Sequence, residues 1–139
     1  QILEECTDSK YQIIEKMILP DEKAKIERQL CRLADQRQIN VVFTTGGTGF
    51  AERDVTPEAT IAVCDKMAPG IAEAMRHYSL SITNRAMLSR AVAGIRKKTL
   101  IINLPGSPKA VKESLEYILP ALGHGLGILR GTDGECGNA

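Results

Sequence analysis

The chain has 139 residues, 43% of them hydrophobic and 25% charged, with a formal net charge of +1. Those values suit one globular domain and give no electrostatic reason to bind nucleic acid. Two Phe, three Tyr and no Trp leave little for base stacking, and no apolar run approaches the ~20 residues a membrane span needs.

Gln1 to Thr7 reads as the tail of a helix. Tyr11 to Leu19 carries Ile13, Ile14, Met17, Ile18 and Leu19 before Pro20, and is expected as a strand. Asp21 then has the chemistry of a helix N-cap, with Glu22 behind it. Ile26, Leu30, Leu33 and Ala34 fall on one helical face that should end near Arg37. Asn40 to Thr45 is β-branched and bounded by glycine, which predicts a strand. Thr56-Pro57-Glu58 starts the next helix, with Thr56 as N-cap, Pro57 in the first turn and an acid after it. It is expected to run to about Met67, with Pro69-Gly70 as punctuation and helix again over Ile71 to Tyr78. Thr83 to Ala93 fits helix or loop. Arg96-Lys97-Lys98 reads as a tight turn between short strands, and Thr99 to Asn103 as a buried strand. Ser107-Pro108 repeats the cap chemistry ahead of Val111, Leu115 and Ile118, and Pro120 breaks that pattern before Ala121 to Leu129. The expected organisation is one domain over 1–130 with a frayed tail over 131–139. Alternating strands and helices predict an α/β sheet covered on both faces.

Ligands in such sheets bind beyond the carboxyl ends of the strands. Two loops occupy such ends: TTGGTG, Thr44 to Gly49, and NLPGSP, Asn103 to Pro108. Gly46, Gly47 and Gly49 let backbone amides approach an anion, while Thr44, Thr45 and Thr48 add hydroxyls. The run is neither a Walker A loop nor a GxGxxG fingerprint. Asp54 reads as a turn residue or as the carboxylate of a cation bridging to phosphate. Asp21 is open to the same second reading, and Glu58 is a first-turn acid that complements the helix dipole. Arg53, Arg90 and Arg96 are solvated or clamp phosphates, and Ser89 stands equally open. Pro105, Gly106 and Ser107 bring a second helix N-terminus to the same end, a good address for phosphate. His77 and His124 lack metal spacing. Cys6, Cys31, Cys64 and Cys136 match neither a zinc signature nor a CxxC pair, and are expected as reduced thiols in the cytoplasm. No secretory signal is recognised.

TTGGTGFAERDVTPEAT (44–60), MLSRAVAGIR (87–96) and LIINLPGSPKAVKESLEYILPALGH (100–124) resemble the molybdopterin adenylyltransferases, the MogA-like enzymes and the G domain of gephyrin. ILPDE (18–22) fits the same family, and the resemblance spans about residues 10 to 130. It implies a three-layer α/β/α molybdopterin-binding fold with a mostly parallel sheet, assembled as a homotrimer. The implied reaction joins molybdopterin and ATP, with Mg2+, into adenylyl-molybdopterin and pyrophosphate. A molybdenum insertase then takes the product; neither nucleic acid nor membrane is involved. The alternative is a non-catalytic molybdopterin-binding or scaffold module.

By that resemblance Thr44, Thr45, Gly46, Gly47, Thr48 and Gly49 hold the pterin end of the substrate, and Asp21 and Asp54 are acidic active-site residues and metal ligands. Glu58, Ser89, Asn103, Pro105, Gly106 and Ser107 complete the implied ligand-facing set. Family members open with a strand, a Ser-Asp-containing glycine loop and a helix, and this chain opens within that helix. The expectation is therefore a further stretch of roughly 25–35 residues, the size of a strand–loop–helix unit.

Overall fold

The computed structural model describes residues 11–131. The helix tail expected at Gln1 to Thr7, and residues 132–139 of the expected tail, lie outside them. In chain order the elements are α1 (Lys23–Asp35), β1 (Val41–Thr45), α2 (Thr56–Val63), β2 (Lys66–Met67), α3 (Pro69–Leu80), a 3-10 turn (Asn84–Leu88), β3 (Ala93–Arg96), β4 (Thr99–Leu104) and α4 (Pro108–Arg130).

The four strands form one sheet in the order β1-β4-β3-β2. β4 is its centre, and all six of its residues are buried, as the run TLIIN predicts. Successive side chains of a strand point to opposite faces, and two cores result. Ile101 joins Val42, Ile26, Leu30, Ala59 and Val63 under α1 and α2. Leu100, Ile102 and Leu104 join Ala93, Met75, Leu115 and Ile118 under α3 and α4. The three-layer α/β/α architecture follows from these two faces. Fully burying an Ile or Leu side chain contributes about 1.5–3 kcal/mol, so both helical layers are held mainly through β4.

The sheet is less parallel than expected. β1 runs parallel to β4, but β3 is antiparallel to β4 and β2 to β3. The turn at Lys97 (φ 54°) joins β3 directly to β4, and a hairpin connection requires antiparallel neighbours.

Four local expectations also change. Residues 11–19 are not a strand: Ile14 and Ile18 are exposed, and no described strand pairs with the segment. Apolar content does not make a strand without a partner for its backbone groups. The segment is instead held against α1 by Glu15, which accepts from Arg32. Asp21 does not cap α1, because the Glu22 N–H turns back to Pro20 O at 2.8 Å and Glu22 takes the cap position. α2 stops at Val63, short of Met67, because Asp65 and Ala68 donate to Ile95 O and Ala93 O, drawing the chain into β2. Pro120 does not break α4. A mid-helix proline costs about 3 kcal/mol, offset here by Ile118, Leu119, Leu122 and Leu126 on one buried stripe.

Arg96, at the hairpin end of β3, donates to both oxygens of Asp35 at 3.0 and 2.8 Å and to Val63 O at 2.8 Å. It thereby ties α1, α2 and β3 together at the end of the sheet away from both glycine loops, so it is not a phosphate clamp there. The Arg96 hydrogen bonds, helped by Lys97 and opposed by desolvation, draw the Asp35 carboxyl down from 3.8 to about 2. A depressed carboxyl adds stability that is complete above its unfolded value and lost as pH falls through the folded one. Thermal unfolding should therefore show the Tm of the native chain falling more steeply than that of Asp35→Asn between about pH 4 and about pH 2; parallel curves would remove this pair from the acid response.

Candidate functional site

The parallel register sets Thr44 against Asn103 and Thr45 against Leu104. β1 and β4 thus end level, and both glycine-bearing loops leave the sheet from adjacent points. The Gly46 N–H donates to Leu104 O at 3.2 Å. A Cβ on Gly106 would lie 3.5 Å from Gly46 Cα, so the two loops are in contact.

The first loop is shaped by its glycines. Gly46 and Gly47 have φ of 81° and 70°, a left-handed geometry that disfavours any side chain. A Cβ on Gly47 would also fall 2.2 Å from Thr56 Oγ1, and the Thr56 N–H donates to Gly47 O at 3.2 Å. That contact places Thr56 inside the first turn of α2, buried, with Val55 at the cap. Thr56 was the expected cap, and packing against Gly47 shifts the boundary by one residue.

Asp54 returns to the same loop. A Cβ on Gly49 would stand 2.8 Å from Asp54 Oδ2, and that oxygen accepts the Ala51 N–H at 2.9 Å. Asp54 N–H donates to Ala51 O at 2.9 Å, so Asp54 closes a turn while facing the glycine loop. Asp21 is exposed and lines an open cleft of about 610 Å3 together with Thr44, Thr45, Gly46 and Thr56. Asp54 does not line this cleft. No cluster of three or more His, Cys, Asp or Glu suited to a metal ion forms among the described residues.

Asn103 takes a supporting place rather than the direct ligand contact expected of it. Its side chain is fully buried. Nδ2 donates to Thr44 Oγ1 and Thr60 Oγ1, each at 3.0 Å, while Oδ1 accepts the Val92 N–H at 3.1 Å. Burying an amide is costly unless its groups are bonded, and these bonds link β1, α2 and the strand entering β3. Thr44 accepts from Asn103, so its own hydroxyl proton remains for another acceptor.

Glu58 is likewise engaged within the protein. Arg90 donates to its two oxygens at 2.6 and 3.3 Å, and these bonds hold the Glu58 carboxyl below the ordinary range. Ser89 is half-buried, and its hydroxyl accepts the Ala91 N–H at 3.3 Å. Ser107 Oγ caps α4 by accepting from Ala110 N at 3.1 Å, and Ser107 O accepts Val111 N. Pro108 has no N–H, so the first turn of α4 offers fewer free amides than its sequence suggests. Gly106 is exposed and Pro105 half-buried beside Gly46. Arg53 is exposed.

The Arg90–Glu58 pair and the Thr60–Asn103 link are the parts sequence reasoning missed, although Arg90 itself was a candidate for phosphate. Glu58 and Arg90 stand 32 residues apart, outside any helical or strand period, and nothing local marks a pair at such separation.

This fold and loop pair define a class. The family described as "Probable molybdopterin binding domain" matches residues 1–124, and the chain belongs to it. It is 52% identical over 111 residues to the molybdopterin adenylyltransferase of Escherichia coli K12, covering 80% of this chain and 57% of that protein. Gephyrin of Dictyostelium discoideum is 46% identical over 112 residues, covering 81% of this chain and 16% of gephyrin. The chain thus spans a little over half of the bacterial relative. Among solved structures, the molybdopterin biosynthesis enzyme MoaB of Thermus thermophilus superposes with a TM-score of 0.87 at 44% identity, over 94% of this chain and 82% of that one.

Asn103→Leu keeps the volume but strands the Val92 N–H and removes the donor shared by Thr44 Oγ1 and Thr60 Oγ1. A buried group without a partner costs about 1–3 kcal/mol, so urea unfolding should show at least that loss. An unchanged midpoint would mean the network contributes nothing to the fold.

Proposed function

We propose that this domain transfers AMP from Mg-ATP to molybdopterin, giving adenylyl-molybdopterin and pyrophosphate, as part of molybdenum cofactor biosynthesis in the cytoplasm. The observation that carries this reading is the meeting of two glycine-bearing turns at the level ends of β1 and β4, with Asp54 packed on the first. The identity to a bacterial protein named molybdopterin adenylyltransferase supports the substrate assignment.

The turn at Gly46 and Gly47 carries no side chain, so one substrate can approach the backbone closely there. Contact between the loops brings the second phosphorylated molecule alongside, converting a bimolecular encounter into a positioned one. A phosphate oxygen of molybdopterin attacks the α-phosphorus of ATP; the new P–O bond forms as the bond to the β-phosphate oxygen breaks. Pyrophosphate leaves with that electron pair, and no protein nucleophile is needed.

Asp54 has the donor chemistry for magnesium: a hard carboxylate, half-buried, with Oδ2 fixed by one backbone N–H. Mg2+ takes one or two carboxylates together with phosphate oxygens. Of the two candidate carboxylates, Asp54, which faces the glycine loop, would hold it; Asp21 lines a cleft that Asp54 does not. The ion's contribution there is to neutralise charge on the phosphate oxygens and the departing pyrophosphate. Homotrimer assembly and delivery to a molybdenum insertase belong to the same proposal, and exposed Phe50 and Met87 supply apolar surface for self-association.

The likeness to gephyrin, in which this chain corresponds to a small part of a large protein, favours a second reading: a molybdopterin-binding or scaffold module without turnover. Pyrophosphate release from Mg-ATP that depends on added molybdopterin separates the two; binding without release would establish the module. Asp54→Asn should lower release by about 100-fold or more while molybdopterin binding, followed by fluorescence, survives. Near-normal turnover in that variant would remove Asp54 from the chemistry.

A further inference from the structure

Residues 46–55 connect β1 to α2 without regular structure, yet they carry the site. Such a stretch ordinarily samples many conformations. One side chain spans it. Arg90 Nε donates to Gly49 O at 2.7 Å and Nη2 to Asp54 O at 2.6 Å. Nη1 and Nη2 donate to the Glu58 carboxylate, and the Arg90 N–H donates to Thr48 O at 2.9 Å. Gly49, Asp54 and Glu58 are thereby fixed to one rigid plane, and Thr48 to the backbone of the same residue.

We propose that Arg90 is the positioning residue of this site: its guanidinium locks the glycine loop and Asp54 into a single relative geometry, and it does not bind phosphate itself. The role in turnover rests on the adenylyl-transfer reading. Four of its five N–H donors already have acceptors within the protein, so at most one, on Nη1, is left for a ligand and no two-pronged grip on phosphate remains. The Arg90–Glu58 pair is about one-third exposed on the Arg side and somewhat more on the Glu side. Pairs this open to water add little to global stability. The carbonyl bonds do something else, since they set the angle between Gly49, Asp54 and the first turn of α2.

Lysine separates positioning from charge. It keeps the positive charge but carries three donors on one atom, and it cannot meet acceptors spread around a planar fork. A residue that served as a cation for phosphate would be largely rescued by Arg90→Lys, and a positioning fork would not.

The experiment compares the native chain with Arg90→Lys, Arg90→Gln and Glu58→Gln. Amide hydrogen exchange is followed without ligand, and pyrophosphate release with Mg-ATP and molybdopterin. In both Arg90 variants the Ala51 and Asp54 amides should exchange about tenfold faster or more while Ile101 and Ile102 stay protected. In both, kcat should fall about 10–100-fold, with a smaller change in the KM for Mg-ATP. Glu58→Gln, which keeps both carbonyl contacts, should show a milder loosening of about two- to threefold. Should the Arg90 variants lose protection at Ile101 and Ile102, Glu58→Gln carries the test, and native exchange in it overturns the proposal. Turnover retained in Arg90→Lys, or lost with loop exchange unchanged, also overturns it. If the native chain releases no pyrophosphate, the adenylyl-transfer reading fails; the exchange result, which uses no substrate, still decides whether Arg90 is the clamp.

Discussion

The buried amide of Asn103 is the constraint on which the rest of the site depends. It sits on the central strand, in register with Thr44, and reaches Thr44, Thr60 and Val92 at once. An amide in that position has no water to fall back on, so the groups around it must adopt the one arrangement that satisfies it. That arrangement sets the end of β1, the first turns of α2 and the strand entering β3. The two glycine loops start from those points, and their contact at Gly46 and Gly106 follows from the level ends of β1 and β4.

Beyond the sheet the means of control changes. Within the layers, β4 is covered on both faces by aliphatic side chains, and packing fixes position. The loop over 46–55 has little apolar burial of its own, and its shape comes from backbone geometry and polar bonds. Left-handed φ at Gly46 and Gly47 points the chain back toward α2, and the Ala51–Asp54 turn folds the carboxylate onto Gly49. Arg90 then joins the pieces. Hydrogen bonds to carbonyls suit this task because they are directional, whereas apolar contact is not.

Much of the fold was legible. TLIIN announced a buried central strand, Arg96-Lys97-Lys98 a turn between strands, and Ser107-Pro108 a capped helix, which the Ser107–Ala110 bond realises. These signals are local: a residue's own φ preference or the side-chain period of one element is enough to read them. The misreadings needed distant partners. Residues 11–19 have the composition of a strand but no described strand beside them. α2 gives up its last turn to pairing with β3. Pro120 is tolerated because α4 is held along one buried stripe on either side of it. The sheet's mixed direction was hidden in the shortness of the β3–β4 turn, which resemblance to a parallel fold had overridden.

By itself the amino-acid order determined where the chain lacks side chains, where it starts helices and which strand lies deepest, because glycine, proline and runs of β-branched residues act on their own backbone. The same order carried the family, through the TTGGTG and NLPGSP motifs. Only the tertiary structure decided that Asp54 faces Gly49, that Asn103 and Glu58 are spent inside the protein, and that Arg90 holds the loop together. The Asn103, Glu58 and Arg90 assignments depend on groups tens of residues apart meeting in space, and a linear pattern does not record which of several equally suitable partners the folded chain brings within a hydrogen bond's reach.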